Sequence, residues 1–191
     1  MNQRNLQEVD WSKIPAPVDD GAAVHLVGMT IPPISLRATD DTMVTLSALP
    51  GRIVVFAYPR TGEPGKIALV DDWDMIPGAR GCTPQTCAFR DLFAELKGAG
   101  VSHVFGLSTQ DNAYQTEMAS RLHLPFPVLS DEKLELTHAL RLPTMDVADL
   151  VLIKRLTLVV DDARITHVFY PVFPPDQNAA EVLAWLKENP V

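Results

Sequence analysis

The run Arg52-Ile-Val-Val-Phe-Ala-Tyr58 constrains the fold more than any other stretch of the chain. Its β-branched and aromatic residues favour a strand, yet polar and apolar positions do not alternate along it. A strand of that kind has both faces covered, the setting of a central strand in a sheet flanked by helices. Pro59 ends it, since proline has no N–H to give to a sheet ladder.

The rest of the chain supplies the flanking layers. From Thr83 to Ala99 the apolar residues Cys87, Ala88, Leu92, Phe93 and Leu96 recur at helical intervals, and Gly98 and Gly100 supply a stop. Val101 to Ser108 reads as a second buried strand. It is followed by a helix near Gln110–Leu122, a short strand at Pro127–Leu129 and a helix near Lys133–Leu140. Strands at Leu156–Val160 and Arg164–Phe169, joined by a turn at Asp161-Asp162-Ala163, precede a last helix over Asn178–Lys187. Val24 to Leu46, broken by Pro32, Pro33 and Asp40-Asp41, fits small strands or a hairpin ahead of the core. This alternation predicts an α/β domain with a mixed central β-sheet flanked by helices. At 191 residues a single domain over 24–191 is expected, behind a polar N-terminal extension over 1–23 that frays.

Composition removes several function classes. With 16 Lys plus Arg against 24 Asp plus Glu, a net charge of −8 and no basic stripe, nucleic acid is not an expected partner. The opening residues contain no apolar segment of the secretory kind, so a reducing cytoplasm is the expected compartment. No apolar run approaches the roughly 18 residues that span a bilayer, so no membrane segment is expected. Two cysteines can build neither a disulfide-dense scaffold nor, by themselves, a four-thiolate metal site.

Those two cysteines lie in Gly81-Cys-Thr-Pro-Gln-Thr-Cys87, where a loop enters a helix. A helix N-terminus presents unpaired N–H groups and a partial positive charge, which favour an anionic sulfur and hence the nucleophilic thiolate. A helix end supplies at most about 2 kcal/mol, so a strongly activated thiol needs a cation as well. Two α-helical cysteines at this spacing have Cα atoms roughly 8.6 Å apart, beyond the ~7 Å limit for a disulfide. Bonding them requires unwinding the first turns. Cysteine is also a small hydrophobe, and Cys87, on the apolar face, fits the core equally well.

Phe56-Ala-Tyr-Pro59, Gly81-Cys82-Thr with the C-x4-C spacing, and Lys154-Arg155-Leu-Thr-Leu-Val-Val160 together resemble the peroxiredoxins, most closely the bacterioferritin-comigratory or Q-type subfamily. The resemblance runs from about Gly28 to the C-terminus. It implies a thioredoxin-like fold and a thiol-dependent peroxidase for hydrogen peroxide and organic hydroperoxides. Under it Cys82 is the peroxidatic cysteine and Cys87 the resolving one, linked through a sulfenic acid and an intramolecular disulfide. Arg155 is the cation that stabilises the thiolate, Pro59 shields the site, and the N–H groups of Gly81 and Cys82 face the peroxide. Thioredoxin or a glutaredoxin-like dithiol would recycle a monomer or homodimer, with no metal, flavin or nicotinamide.

The chain departs from the family pattern P-x-x-x-T-x-x-C, because Ala79 stands where a Thr or Ser precedes the cysteine. Segment 62–78 then reads as an insertion in the active-site loop, and Thr61 becomes the candidate for the missing hydroxyl. The segment is expected to be a surface loop, with a lid, a peroxide selector or a display of Trp73 to a partner as alternatives. Other functions remain open at this level. A thiol–disulfide oxidoreductase on the same fold favours C-x-x-C. A soft-metal chaperone would recruit His103, His123, His138 or His167, none of which lies at ligand spacing from the cysteines. A non-catalytic redox-binding module would keep an inert Cys82.

Overall fold

A computed structural model of the chain describes residues 9–191. Its elements in chain order are β1 (Ser35–Ala38), β2 (Met43–Thr45), β3 (Arg52–Ala57), α1 (Cys82–Asp91), α2 (Phe93–Gly98), β4 (Val101–Ser108) and α3 (Asn112–Arg121). They continue with β5 (Val128–Ser130), α4 (Glu135–Leu140), β6 (Thr144–Val147), β7 (Leu150–Ile153), β8 (Leu156–Asp161), β9 (Arg164–Phe169) and α5 (Asn178–Glu188).

All six residues of β3 are buried, and their period-2 geometry sends them into two different cores. Ile53, Val55 and Ala57 join Leu136 and Leu140 of α4, whereas Val54 and Phe56, with Tyr58 just beyond the strand, join Phe89, Leu96, Met118 and Val182 from α1, α2, α3 and α5. Helices on both faces therefore account for the missing alternation. Phe56 stacks on Phe89 with centroids 4.2 Å apart, which ties α1 to the centre of the sheet.

The seven-stranded sheet has the order β2-β1-β5-β4-β3-β8-β9. Strands β3, β4 and β5 run parallel, while β8 is antiparallel to β3 with Ala57 opposite Leu156. That register brings the residues just after β3 and just before β8 to the same edge of the sheet. Such an edge, outside the carboxyl ends of parallel strands, is where α/β sheets place their sites.

The expected elements are present with changed bounds. The helix expected over 83–99 breaks at Leu92, which ends α1 with its N–H on the Ala88 carbonyl at 3.1 Å and stands as the cap before α2. Both segments bury the same face, so the apolar periodicity runs through the break. The 24–46 region forms the β1–β2 hairpin, and the 161–163 turn has left-handed Asp162 (φ 45) and Ala163 (φ 66), as a tight hairpin turn requires.

Three features differ from expectation. The hairpin of β6 and β7 turns through Ala148 and Asp149, both at positive φ, without the glycine or asparagine that advertises such a turn. Segment 62–78 is more than a surface loop: Trp73, 7% exposed, packs with Leu69, Ile76, Ala79 and the hairpin residues Val147 and Leu152 in a cluster of its own. Trp73 is thus buried within the chain rather than displayed. Residues 1–8 of the expected N-terminal extension lie outside the described residues, but residues 9–23 are anchored rather than frayed: Trp11 bonds Asp176, and Asp20 bonds Lys154 and Tyr170. Among the described residues no helix is long and apolar enough to cross a membrane.

Candidate active site

Cys82 is the first residue of α1 and only 3% exposed. Gly81, the N-cap, has φ 105, a conformation that strains any residue carrying a Cβ. The glycine lets the chain turn sharply into the helix and leaves the Cys82 sulfur at its positive end. The Cys82 thiol donates to the carbonyl of Ala79 at 3.5 Å.

Arg155, immediately before β8, meets this thiol from across 73 residues of sequence. Its Nη2 lies 3.2 Å from Cys82 Sγ and also reaches the carbonyl oxygens of Gly78, Ala79 and Arg80 at 3.2, 3.3 and 3.1 Å. The antiparallel pairing of β3 and β8 makes this meeting possible. The guanidinium is 2% exposed, so water screens its attraction for the sulfur only weakly. The end of segment 62–78 and the residues after it thus hold the arginine, and the arginine holds the turn that leads into Cys82.

The sequence reading missed the groups that orient Arg155. Nη1 donates to Gln85 Oε1 at 2.6 Å, Gln85 Nε2 donates to Asn178 Oδ1 at 2.9 Å, and Thr157 Oγ1 donates to the same oxygen at 2.6 Å. Gln85, Thr157 and Asn178 are fully buried. This chain links the second turn of α1, β8 and the first residue of α5. Gln85 had one signal available, since position i+3 from Cys82 lies on the same helix face; nothing in the sequence points to Asn178. Tyr58 was also missed. Its buried hydroxyl has no hydrogen-bond partner among the described residues. Burial holds it well above the usual tyrosine range, and the nearby Cys82 charge pushes the same way against the opposing pull of Arg155.

The remaining candidates divide. Pro59 is buried at the end of β3, its carbonyl accepting from Ser108 Oγ at 3.2 Å. Thr61 is buried too, but both its N–H and its hydroxyl donate to Gln110 Oε1, at 2.9 and 3.1 Å, so the hydroxyl proposed for the sulfur is engaged elsewhere. Cys87 occupies the second turn of α1, half-buried against the core of the Phe56 face. Burial pushes its thiol up, with Arg90 acting in the opposite direction. Both cysteines are free, and both are helical, the geometry in which a bond between them requires local unwinding. Of the histidines, His167 stacks on Trp185 at 4.6 Å, and burial lowers the affinity of both His103 and His167 for a proton. Among the described residues no three His, Cys, Asp or Glu side chains could hold a metal ion.

A sheet of this order, presenting a buried thiol under a guanidinium at its carboxyl edge, places the chain among the thioredoxin-like folds. The redoxin family model matches residues 26–183. The chain is 33% identical over 164 residues to peroxiredoxin Q, chloroplastic, of Oryza sativa, covering 84% of this chain and 66% of that protein. It is 31% identical over 172 residues to peroxiredoxin Bcp of Escherichia coli, covering 85% of this chain and 96% of that one. Among solved structures, peroxidoxin BcpB of Mycobacterium tuberculosis superposes with a TM-score of 0.68 at 27% identity, over 86% of this chain and 98% of that one. Peroxiredoxin Q of Xanthomonas campestris shares the fold, with a TM-score of 0.65 over 82% of this chain and 90% of that one, at 22% identity. The chain belongs to the redoxin family, in its peroxiredoxin Q/Bcp branch. It spans about two thirds of the length of the rice relative.

Proposed function

We propose that the chain is a thiol-dependent peroxidase in which Cys82 reacts with peroxide and Cys87 resolves the product. The observation that carries this reading is the buried Cys82 Sγ with Arg155 Nη2 at 3.2 Å. The Cys82 thiolate attacks the terminal oxygen of a hydroperoxide; the S–O bond forms as the O–O bond breaks, and the leaving oxygen takes a proton to depart as water or alcohol. Arg155 and the N–H groups of Gly81 and Cys82 stabilise the charge moving onto that oxygen, as preorganised donors do in a water-poor site. Pro59 closes the β3 side of the site against solvent.

The Cys82 sulfenic acid then condenses with the Cys87 thiol, giving a disulfide and water. Since both sulfurs belong to α1, one chain suffices, and a monomer or a homodimer would work alike. An external dithiol of the thioredoxin or glutaredoxin kind returns both thiols by exchange, which suits a reducing compartment such as the cytoplasm. Segment 62–78 reads as an insertion in the active-site loop whose end supplies the Gly78 carbonyl to Arg155.

Stopped-flow oxidation of the reduced protein by hydrogen peroxide and by tert-butyl hydroperoxide tests this. Cys82→Ser should abolish peroxide consumption. Cys87→Ser should complete one turnover and lose recycling by thioredoxin. Undiminished consumption by the Cys82→Ser protein would refute the assignment, and insulin reduction in the absence of peroxide would favour a general disulfide oxidoreductase.

A further inference from the structure

The anchored N-terminal lead lies ahead of residues 26–183, which the family model matches, and it is laid across the start of α1. Trp11 opens a 3-10 turn over Trp11–Lys13, capped by the Asp10 side chain on Ser12 N–H. Its indole N–H donates to Asp176 Oδ2 at 2.9 Å, and its ring meets Phe173 edge-on at 5.9 Å. The far edge of the indole then presses on Gly81. A Cβ built on that glycine would fall 2.7 Å from Trp11 Cη2 and 2.7 Å from Pro175 Cγ. Gly81 is therefore gripped between Trp11 and Pro175, one residue before the reacting sulfur. Farther along, Pro17 lies over Gly78, and Asp20 accepts from Lys154 Nζ at 2.6 Å and from the Tyr170 hydroxyl at 2.7 Å. The lead thus touches both the 78–81 turn and the residue beside Arg155.

We infer that Trp11 is a positioning residue: through Gly81 it holds Cys82 under Arg155 for the peroxide step and opposes the unwinding that carries Cys82 to Cys87. This rests on the peroxidase reading above. The two steps make opposite demands on the first turn of α1. Attack on peroxide needs the turn closed, so that Sγ stays beside Nη2. Resolution needs it open, since helical Cα atoms at this spacing are roughly 8.6 Å apart. A clamp on the N-cap favours the first step and slows the second. The sulfenic acid then persists, and a second hydrogen peroxide can convert it to sulfinic acid with release of water. Trp11 accordingly sets the division between disulfide and sulfinic acid, and the disulfide form has the lead released from Gly81.

The test uses the reduced full chain and hydrogen peroxide, with rapid quenching and mass spectrometry of thiol, sulfenic, disulfide and sulfinic forms. Wild type is compared with Trp11→Ala, with Trp11→Phe, which keeps a ring near Gly81 but loses the N–H, and with Asp176→Asn, which removes the charge that accepts it. Trp11→Ala should form the disulfide at least about tenfold faster, the lower end of the factor that one hydrogen bond to a charged group corresponds to. It should consume the first peroxide several-fold more slowly and yield less sulfinic acid. The Phe and Asn variants should fall between, and they decide the matter if the Ala variant does not fold. Tryptophan emission should change at the rate of disulfide formation in wild type and lose that change in Trp11→Phe. Unchanged partition, parallel slowing of both steps, or wild-type emission indifferent to the disulfide would overturn the inference. Absence of peroxide consumption by wild type would instead remove the peroxidase reading itself.

Discussion

Replacing Arg155 by methionine keeps most of the side-chain volume and removes the charge and the donor fork together. Unit charges 3.2 Å apart, the separation of Nη2 and Sγ, attract by about 5 kcal/mol at an effective dielectric near 20. In the proposed mechanism the sulfur attacks as an anion, so much of that attraction already acts before peroxide arrives. Only the part that strengthens as charge moves onto the leaving oxygen affects the rate of the bound complex. Removing one preorganised donor from such a position lowers rates by about 10²–10³, and that is the loss expected in the second-order rate constant of Arg155→Met with hydrogen peroxide. The same change leaves Gln85 Oε1 and the carbonyls of Gly78, Ala79 and Arg80 without their donor, so stability should fall by about 3 kcal/mol. Arg155→Lys keeps the charge, but one ammonium cannot serve the sulfur, the amide and the turn at once, and an intermediate loss of about tenfold is expected. Stopped-flow thiol oxidation and urea titration of the three proteins measure both quantities. A methionine variant reacting within threefold of wild type would refute the role drawn from the geometry.

Other perturbations probe the frame around this pair. Gly81→Ala combines a positive φ with two contacts at 2.7 Å and should cost about 2–4 kcal/mol of stability, read from the urea midpoint; less than 1 would show that Trp11 and Pro175 yield easily. Phe89→Ala removes the ring stacked on Phe56 and should cost about 3–5 kcal/mol, with slowed peroxide consumption because α1 loses its anchor on the sheet; a normal rate at reduced stability would separate the two roles. Burial pushes the Cys87 thiol up, so the folded state prefers its protonated form. That preference contributes stability below the ordinary thiol range and loses it as pH rises through and beyond that range. In the Cys82→Ser background, alkylation of Cys87 should be slower than in urea-unfolded protein at pH 7, the gap narrowing as pH increases; equal rates at pH 7 would contradict it.

The sequence carried the layers of the fold because each rests on local chemistry. A strand buried on two faces shows itself as an unbroken apolar run, as β3 does, and α1 with α2 shows itself as helical periodicity even across the break at Leu92. What escaped depends on partners distant in sequence. The β6–β7 hairpin turns through Ala148 and Asp149 in a left-handed conformation that alanine disfavours, held by four cross-strand pairs and by the cluster around Trp73. Thr61 looked available for the sulfur because only its distance along the chain from Pro59 was visible. Its actual partner, Gln110, comes from beyond the end of β4.

The same contrast runs through the site itself. Cys82 and Cys87 are legible as candidates because the reactivity of a thiol depends on helix position, which spacing records. The meaning of Arg155 depends on sheet register, since only the pairing of Ala57 with Leu156 brings it to the edge where α1 begins. Its orientation rests on a third level, a buried amide chain through Gln85 to Asn178 whose members are chemically ordinary and 93 residues apart. Neutral amides suit that task because they can bond a guanidinium and one another without bringing a second anion that would compete with the sulfur for the same charge. A carboxylate in place of Gln85 would grip Arg155 more firmly and lessen the positive field at Sγ. Gln85→Glu also turns the Nε2 donor into an oxygen facing Asn178 Oδ1, so it should lower stability by about 1–3 kcal/mol while slowing peroxide consumption, and faster consumption would show that the amide serves packing alone.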